Sequence, residues 1–571
     1  MFGTQVCTSL ADGAGADREW LLTDGTGGYA LGTVAGLRTR RQHALLVTPE
    51  GRVALVTLDP VVILTSGARV ELGVHEWASG AVAPEGHRLL ESFDVTDRVP
   101  RWRWRIGDVV VERELAMERG RSGIAVVHRV VAAPEPVGLA LGALCTWRDA
   151  DRERTAAGPP PDVEQVADGV VVERAYRIAG PGWRPDGIWW YGARTRDGNE
   201  DLWHAGTFSA RLAAGEALEV CAWTGDLARQ PPSATAVVAQ ARTRARKVLA
   251  AAKPADDLDA HLALAADAHI VAGPAVVGSY PGPADGEALA GYEGLFLATG
   301  RATEGRALLQ GYQGRTLWYP HAVERHVTRT GDTDLAAALL PALGRLVGGY
   351  DPDPADGLLA GGSGKPVAVN ALWVNALGAV ARLHELTGAD PAEWLCRYDA
   401  AQTGFVKRYP APDGWLYDVV DVPPPPYPLA GSLPYDDPVL RPHQVLAWSL
   451  PYAPLDATCP EPLAAVGAYL LTPLGLRSLA AHEYGYRGAD PDHGSAWPWL
   501  AGAYVDACHA VGRPASGVLA GLESHVREYG LGSVSERADG DPPHRPGGAP
   551  FHALSVAELL RARRVLARAR R

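Results

Sequence analysis

The 571-residue chain is 47% apolar and 21% charged, with a formal net charge of -12. This is an ordinary globular composition, at a length that suggests about two to four domains. The acidic balance excludes a surface built to neutralise nucleic-acid phosphates, so no nucleic-acid partner is expected and neutral ligands fit better.

The N-terminus, Met1 to Ser9, has neither a basic n-region nor an apolar h-region. No uncharged apolar run approaches the ~18 residues of a membrane span, so a cytoplasmic protein with no membrane partner is expected. Glycines 25, 27, 28, 32 and 36 punctuate short strands. They do not read as a phosphate loop, because no Walker lysine follows. Alternating runs such as Arg101 to Ile106, Val109 to Leu115 and Gly187 to Gly192 continue to about Asp226. Many short strands at regular spacing predict an antiparallel β-sandwich over residues 1-230.

Near Pro231-Pro232 the period changes. The stretch 231-257 reads as a linker helix, and from 258 to 571 about a dozen apolar-periodic segments alternate with Gly/Pro/Asp loops. These include 288-300, 316-330, 333-349, 369-387, 439-451, 494-512 and 552-570. The pattern predicts an α/α toroid with a central funnel and functional residues on loops at one end. The arginine-rich tail from 561 reads as the solvated end of a terminal helix.

Six cysteines lie at 7, 145, 221, 396, 459 and 508 without short paired spacings. His384-Glu385 and His482-Glu483 each lack a second histidine at helical spacing. No metal site and no cofactor are therefore expected. Seventeen tryptophans against six phenylalanines hint at stacking platforms for sugar rings. The stretch Leu531 to Gly548 places Glu536 where a helical segment gives way to a loop rich in Asp, His, Arg and Gly, which suits a polyol ligand.

Several stretches in one order resemble the bacterial and archaeal type of glycogen debranching enzyme, amylo-α-1,6-glucosidase. They are Glu19-Trp20, Asp24 to Tyr29, Arg40 to His43, Gly364 to Trp373, Leu440 to Gln444, Leu471 to Arg477, Gly485 to Gly488, His493 to Trp499, and the stretch through Glu536 and His544 to Gly547. The resemblance implies a β-sandwich followed by an (α/α)6 barrel. It also implies hydrolysis of α-1,6-linked glucose from an α-glucan by two carboxylates. Glu536 falls in the segment of the base. Trp497, Trp499 and Arg477 resemble the walls of the sugar site, and Asn370, Trp373, Arg441 and His544 fall in motifs at the barrel mouth.

Two departures follow. The tract that grips the terminal glucose in the family is here Ser279 to Glu287, in which the family's Trp and Arg are gone and Glu287 keeps a carboxylate. The segment that supplies the general acid is absent, because Gly357 to Lys365 joins its flanks directly; Asp356 is the nearest of the acids preceding the deletion. General acid help of this kind is worth about 10² to 10⁴ in rate. The expectation is therefore a weakened α-1,6-glucosidase, with a catalytically silent α-glucan-binding protein as the alternative.

Overall fold

The computed structural model describes residues 1-273, 275-282, 286-423 and 434-569, with the side chains of 286, 287 and 569 outside the description. Two compact units divide the chain: Met1–Ala250 with Glu528–Leu531, and Ala251–Arg527 with Gly532–Arg571.

The first unit holds a nine-stranded and an eight-stranded sheet, each joined by antiparallel pairing. The strand Val99–Ile106 shows how sequence makes the layer. Trp102 and Trp104 are buried, while Arg101, Arg103 and Arg105 between them point the other way. The alternation follows from the two-residue period of a strand. Arg103 pairs with Glu91 at 2.7 Å and with Glu112 at 2.6 Å, which gives the polar face cross-strand ion pairs. Inward-facing side chains, among them Leu55, Leu58, Phe93, Val111, Leu139 and Leu141, form the core.

A single turn, α1 (Thr4–Cys7), follows the first short strand, Phe2–Gly3. Helix α2 (Ala234–Ala252) follows them and does more than connect. Its Ala234, Val237 and Val238 cover Val99, Ala116, Ala125 and Val127 on one sheet. The tetrapeptide Glu528–Leu531 also belongs to this unit: Glu19 donates its backbone N–H to Tyr529 and accepts from Leu531.

The second unit is helical: α3 (Asp257–His269), α4 (Ala302–Gly311), α5 (Trp318–Thr330), α6 (Thr333–Gly348), α7 (Val367–Thr387), α8 (Ala392–Arg408), α9 (Leu446–Ser449), α10 (Glu461–Tyr469), α11 (Leu500–Ala510), α12 (Ala520–His525) and α13 (Ala553–Ala569). Among the described residues six elements close a ring. The turn pair Gly286–Leu289 and Glu293–Leu297 touches α5, then contact passes through α7, α9 and α11 to α13, and α13 returns to the turn pair. The remaining helices alternate with these in chain order, which is the (α/α)6 arrangement. The central stretch of α7, 370-381, is buried on every side, as its largely apolar sequence requires.

The expected helix over 288-300 is replaced by the two short turns. A Cβ on Gly294 would lie 2.1 Å from the Ala557 carbonyl of α13, so this segment meets the neighbouring backbone too closely for a side chain. Connections at the two ends of the ring are unequal. Those from ring element to outer helix are short, such as 331-332 after α5 and 388-391 after α7. Those entering the ring helices are long: 349-366, 409-445, 470-499 and 526-552. Long loops over a rigid scaffold mark the end where function is expected.

Candidate active site

Two of the long loops, 470-499 and 526-552, meet in a small five-stranded sheet: Leu471–Thr472, Gly475–Arg477, Ala496–Trp497, Arg537–Ala538 and Pro546–Gly547, in that order. Leu476 faces Trp497, Arg477 faces Ala496, Ala496 faces Ala538, and Arg537 faces Gly547. Adjacent strands lie about 4.8 Å apart. The sheet therefore brings Arg477, Trp497 and Glu536 together from positions far apart in sequence.

Glu536 stands at the edge of this sheet. Its backbone N–H donates to Ala549 O at 2.9 Å, and the Ala549 N–H donates to Glu536 Oε2 at 2.9 Å. Oε1 has no partner among the described residues. One oxygen is thus anchored and the other is available to a ligand or a water. Gly548 permits this: its φ is +68°, and a Cβ there would lie 2.5 Å from Glu536 Oε2. The preceding Ser535 is buried, with Oγ 3.0 Å from His525 Nε2 and donating to Arg537 O at 3.1 Å. Burial pushes His525 down to about 4, so it is neutral and accepts from the Ser535 N–H.

The other residues singled out in sequence divide into three groups. Arg477 donates to Gly540 O at 3.0 Å, Trp497 Nε1 to Pro491 O at 3.1 Å, and His544 Nδ1 lies 3.0 Å from Asp539 O. These contacts fasten the loop around Glu536. Arg441 donates to Ser478 O at 3.1 Å and to Asp492 O at 2.8 Å, which ties the next loop to the same region.

Asn370 and Trp373 are different. Both are fully buried on α7, where Asn370 bonds Leu359 N–H, Leu359 O and Pro366 O, and Trp373 Nε1 donates to Gly357 O. They shape the turn at 357-359 from beneath. Trp499, at the N-cap of α11, lines the cavity within the ring of helices, with its ring 6.0 Å from that of His443.

The shortened loop between α6 and α7 closes on an ionic cluster. Lys365, only 4% exposed, lies 2.8 Å from Asp353, 2.6 Å from Asp356 and 3.0 Å from Asp421. Arg408 adds contacts of 3.5 Å to Asp356 and 2.7 Å to Asp421. Burial pulls the Lys365 pKa down, but hydrogen bonds to the three carboxylates outweigh it and hold the ammonium above its ordinary value. Asp356 thus spends one oxygen on cations and the other on the Leu358 N–H. Glu287 has its side chain outside the described residues.

One carboxyl was not singled out in sequence. Asp418 lies at the mouth of the 409-445 loop, immediately before the strand Val419–Val422, which pairs with Lys365–Pro366. Its backbone is fixed by the Asp437 carbonyl and the Val367 N–H. Its side chain is 21% exposed and lies 3.6 Å from Arg441. Burial pushes it up to about 6, Arg441 opposing and Asp437 reinforcing the change. Nothing in Asp413-Gly-Trp-Leu-Tyr-Asp418 marks the last residue, because its burial comes from segments distant in sequence. Among the described residues no group of three His, Cys, Asp or Glu side chains is placed to hold a metal ion.

Residues 18–219 match the family described as glycogen debranching enzyme N terminal, and residues 359–561 match the family described as amylo-alpha-1,6-glucosidase. Among solved structures, a bacterial glucoamylase complexed with acarbose is similar at a TM-score of 0.61 and 12% identity, covering 97% of this chain and 95% of that one. A GH63 mannosylglycerate hydrolase from Thermus thermophilus covers 53% of this chain and 99% of its own, at a TM-score of 0.43 and 12% identity. No curated protein matches the chain in sequence. A strand-rich unit followed by an (α/α)6 barrel, the fold shared with that glucoamylase, together with the two family matches defines a member of the debranching class of glycoside hydrolase families. The chain belongs to the glycogen debranching enzyme family.

Proposed function

We propose that this protein binds α-glucan chains at the loop end of its barrel and hydrolyses α-1,6-linked glucose slowly, with Glu536 as the base that activates water. The observation that carries this reading is the anchoring of Glu536. One carboxylate oxygen is fixed by the Ala549 N–H, the other is open, and Trp497 and Arg477 stand on neighbouring strands. An aromatic face and a few fixed polar groups around a carboxylate suit a sugar ring. The acarbose held by the similar glucoamylase supports an oligosaccharide as the ligand.

Hydrolysis also needs a proton donor for the departing oxygen. Asp356 is committed to Lys365 and Arg408, and we assign the role to Asp418. It sits where the loop carrying the family's acid has been shortened, and it keeps its proton to a higher pH than an ordinary aspartate. Inverting glycosidases place their carboxyls about 6.5 to 9.5 Å apart. The same shortening favours a second reading, a glucan-binding protein without turnover, because the Lys365 cluster fills the closing segment with paired charge.

Glucose release from a singly branched maltooligosaccharide decides between them. Slow release that Glu536→Gln abolishes, with oligosaccharide binding retained, supports the hydrolase. Binding with no release, unchanged in Glu536→Gln, supports the silent reading.

A further inference from the structure

The ring of helices encloses a cavity of about 410 Å³ that the glucosidase reading does not use. It is lined along α13 by Leu554, Glu558, Arg561, Val565 and Arg568, spaced as one face of the helix, with Arg564 beside them. Along α5 it is lined by Trp318, His321, Arg325 and Arg329. A helix face turned to a barrel axis is ordinarily apolar. Here it is charged, in two layers.

The deeper layer is paired, with four carboxylates, Glu324 among them, to two guanidinium groups. Arg325 pairs with Glu293 at 2.7 Å, and Arg561 pairs with Asp506 at 2.6 Å and Glu558 at 2.7 Å. The outer layer is not. Arg329, Arg564 and Arg568 gather where α5 and α13 end, and among the described residues none of them has a carboxylate within ion-pair distance. Arg564 donates to Ala252 O at 2.9 Å. Arg329 is exposed, and partial desolvation at the mouth, then repulsion from Arg568, holds it below the usual arginine range. Arg564 is lowered mainly by burial, with Arg568 and Arg329 adding to the effect against Asp259.

The bland account is that arginines at helix C-termini complement the helix dipole. It explains one arginine at the end of each helix. It does not explain three that line one cavity, repel each other and have no carboxylate within ion-pair distance among the described residues.

We propose that this cavity is a second binding site, for a sugar phosphate. Arg329, Arg564 and Arg568 hold the phosphate at the mouth, and the hydroxylated body reaches inward toward His321, Glu293 and Asp506. Guanidinium groups match phosphate oxygens in geometry and charge. Paired carboxylates keep lone pairs for hydroxyl groups, and His321 is neutral, lowered to about 4 chiefly by burial, and so accepts or donates to a polyol. The volume lies within the range of about 300 to 1,000 Å³ typical of small-ligand sites. The site opens at the C-terminal ends of the ring helices, whereas Glu536 precedes the N-terminal end of α13. A 17-residue helix is about 25 Å long, so the two ligands would not compete directly.

The test is calorimetry on the full chain with glucose 6-phosphate, glucose and inorganic phosphate, repeated on the double variant Arg329→Gln with Arg568→Gln. Both side chains are exposed, so the fold should be retained, and an unchanged circular dichroism spectrum checks this. The ester is expected to bind at least tenfold more tightly than glucose, more weakly as salt rises. The double variant should lose at least tenfold in that affinity while maltoheptaose binding stays as it was. Equal affinity for glucose and its phosphate, or an unaltered double variant, would overturn the site. Inorganic phosphate binding as tightly as the ester would overturn the assignment to a sugar phosphate.

Discussion

Replacing Asp418 by Asn should stabilise the protein while removing its proton donor. The folded protein releases the Asp418 proton near pH 6, because burial opposes the charged form, and the unfolded chain releases it near 3.9. A raised pKa contributes stability that is complete below the unfolded value and is lost as pH rises through the folded one. At pH 7 the ionised carboxylate therefore costs about 3 kcal/mol relative to its protonated form, from a separation of about two pH units at about 1.4 kcal/mol each. Asn has the shape of the protonated acid and carries no charge. With a fifth of the side chain open to solvent, the gain in Asp418→Asn should be about 1 to 3 kcal/mol at pH 7, falling to about half of that at pH 5. Urea denaturation of both proteins at pH 5, 6 and 7 measures it. In parallel, wild-type turnover should decline above about pH 6 as the donor ionises, and the variant should lose about 10² to 10⁴ in kcat. A variant less stable than wild type at pH 7, or a gain that does not change with pH, would show that the carboxyl is not buried at this cost.

Three other outcomes are expected. Gly548→Ala should displace the Glu536 carboxylate and strain a left-handed backbone, lowering turnover at least tenfold with a smaller change in glucan affinity; unaltered kinetics would mean that Glu536 does not act from this position. Lys365→Met should destabilise the barrel by about 2 to 4 kcal/mol, less than a fully buried pair would, because Asp353 and Asp421 are partly exposed and regain water; a melting temperature within a degree of wild type would contradict the cluster. Affinity for maltose, maltotetraose and maltoheptaose should rise with length and fall in Trp497→Ala, and equal calorimetric binding by that variant would remove Trp497 from the site.

The parts of this fold that could be read in the sequence are those governed by local period. Arg101 to Ile106 alternates because one face of its strand is covered, and the middle of α7 is largely apolar because it is surrounded. The change of period near Pro231-Pro232 likewise precedes a real helix, α2. Its packing on the sheet was not legible, since Val99 and Ala125 lie more than a hundred residues upstream. The site shows the same limit. Glu536, Arg477 and Trp497 were candidates because they stand in recognisable stretches, and one small sheet joins those stretches. Asp418 could not, because what distinguishes it is the exclusion of water by Arg441 and the 435-437 strand. The arginines of the terminal helix read as a solvated end, since a sequence does not tell which face of a helix meets a cavity.

The discontinuity of the first unit bears on how the protein is made. Glu19 stands on an edge strand whose last backbone partners, Tyr529 and Leu531, are reached only after the whole barrel sequence except its final stretch. At about 5 to 20 residues per second, the ribosome needs roughly fifteen to fifty-five seconds to travel from the end of α2 to that tetrapeptide. During that interval the sandwich is complete in its core but carries an open edge, a surface on which strands of other chains can add. A fragment ending after α2 should therefore fold yet associate, and supplying the tetrapeptide on a short peptide should suppress the association.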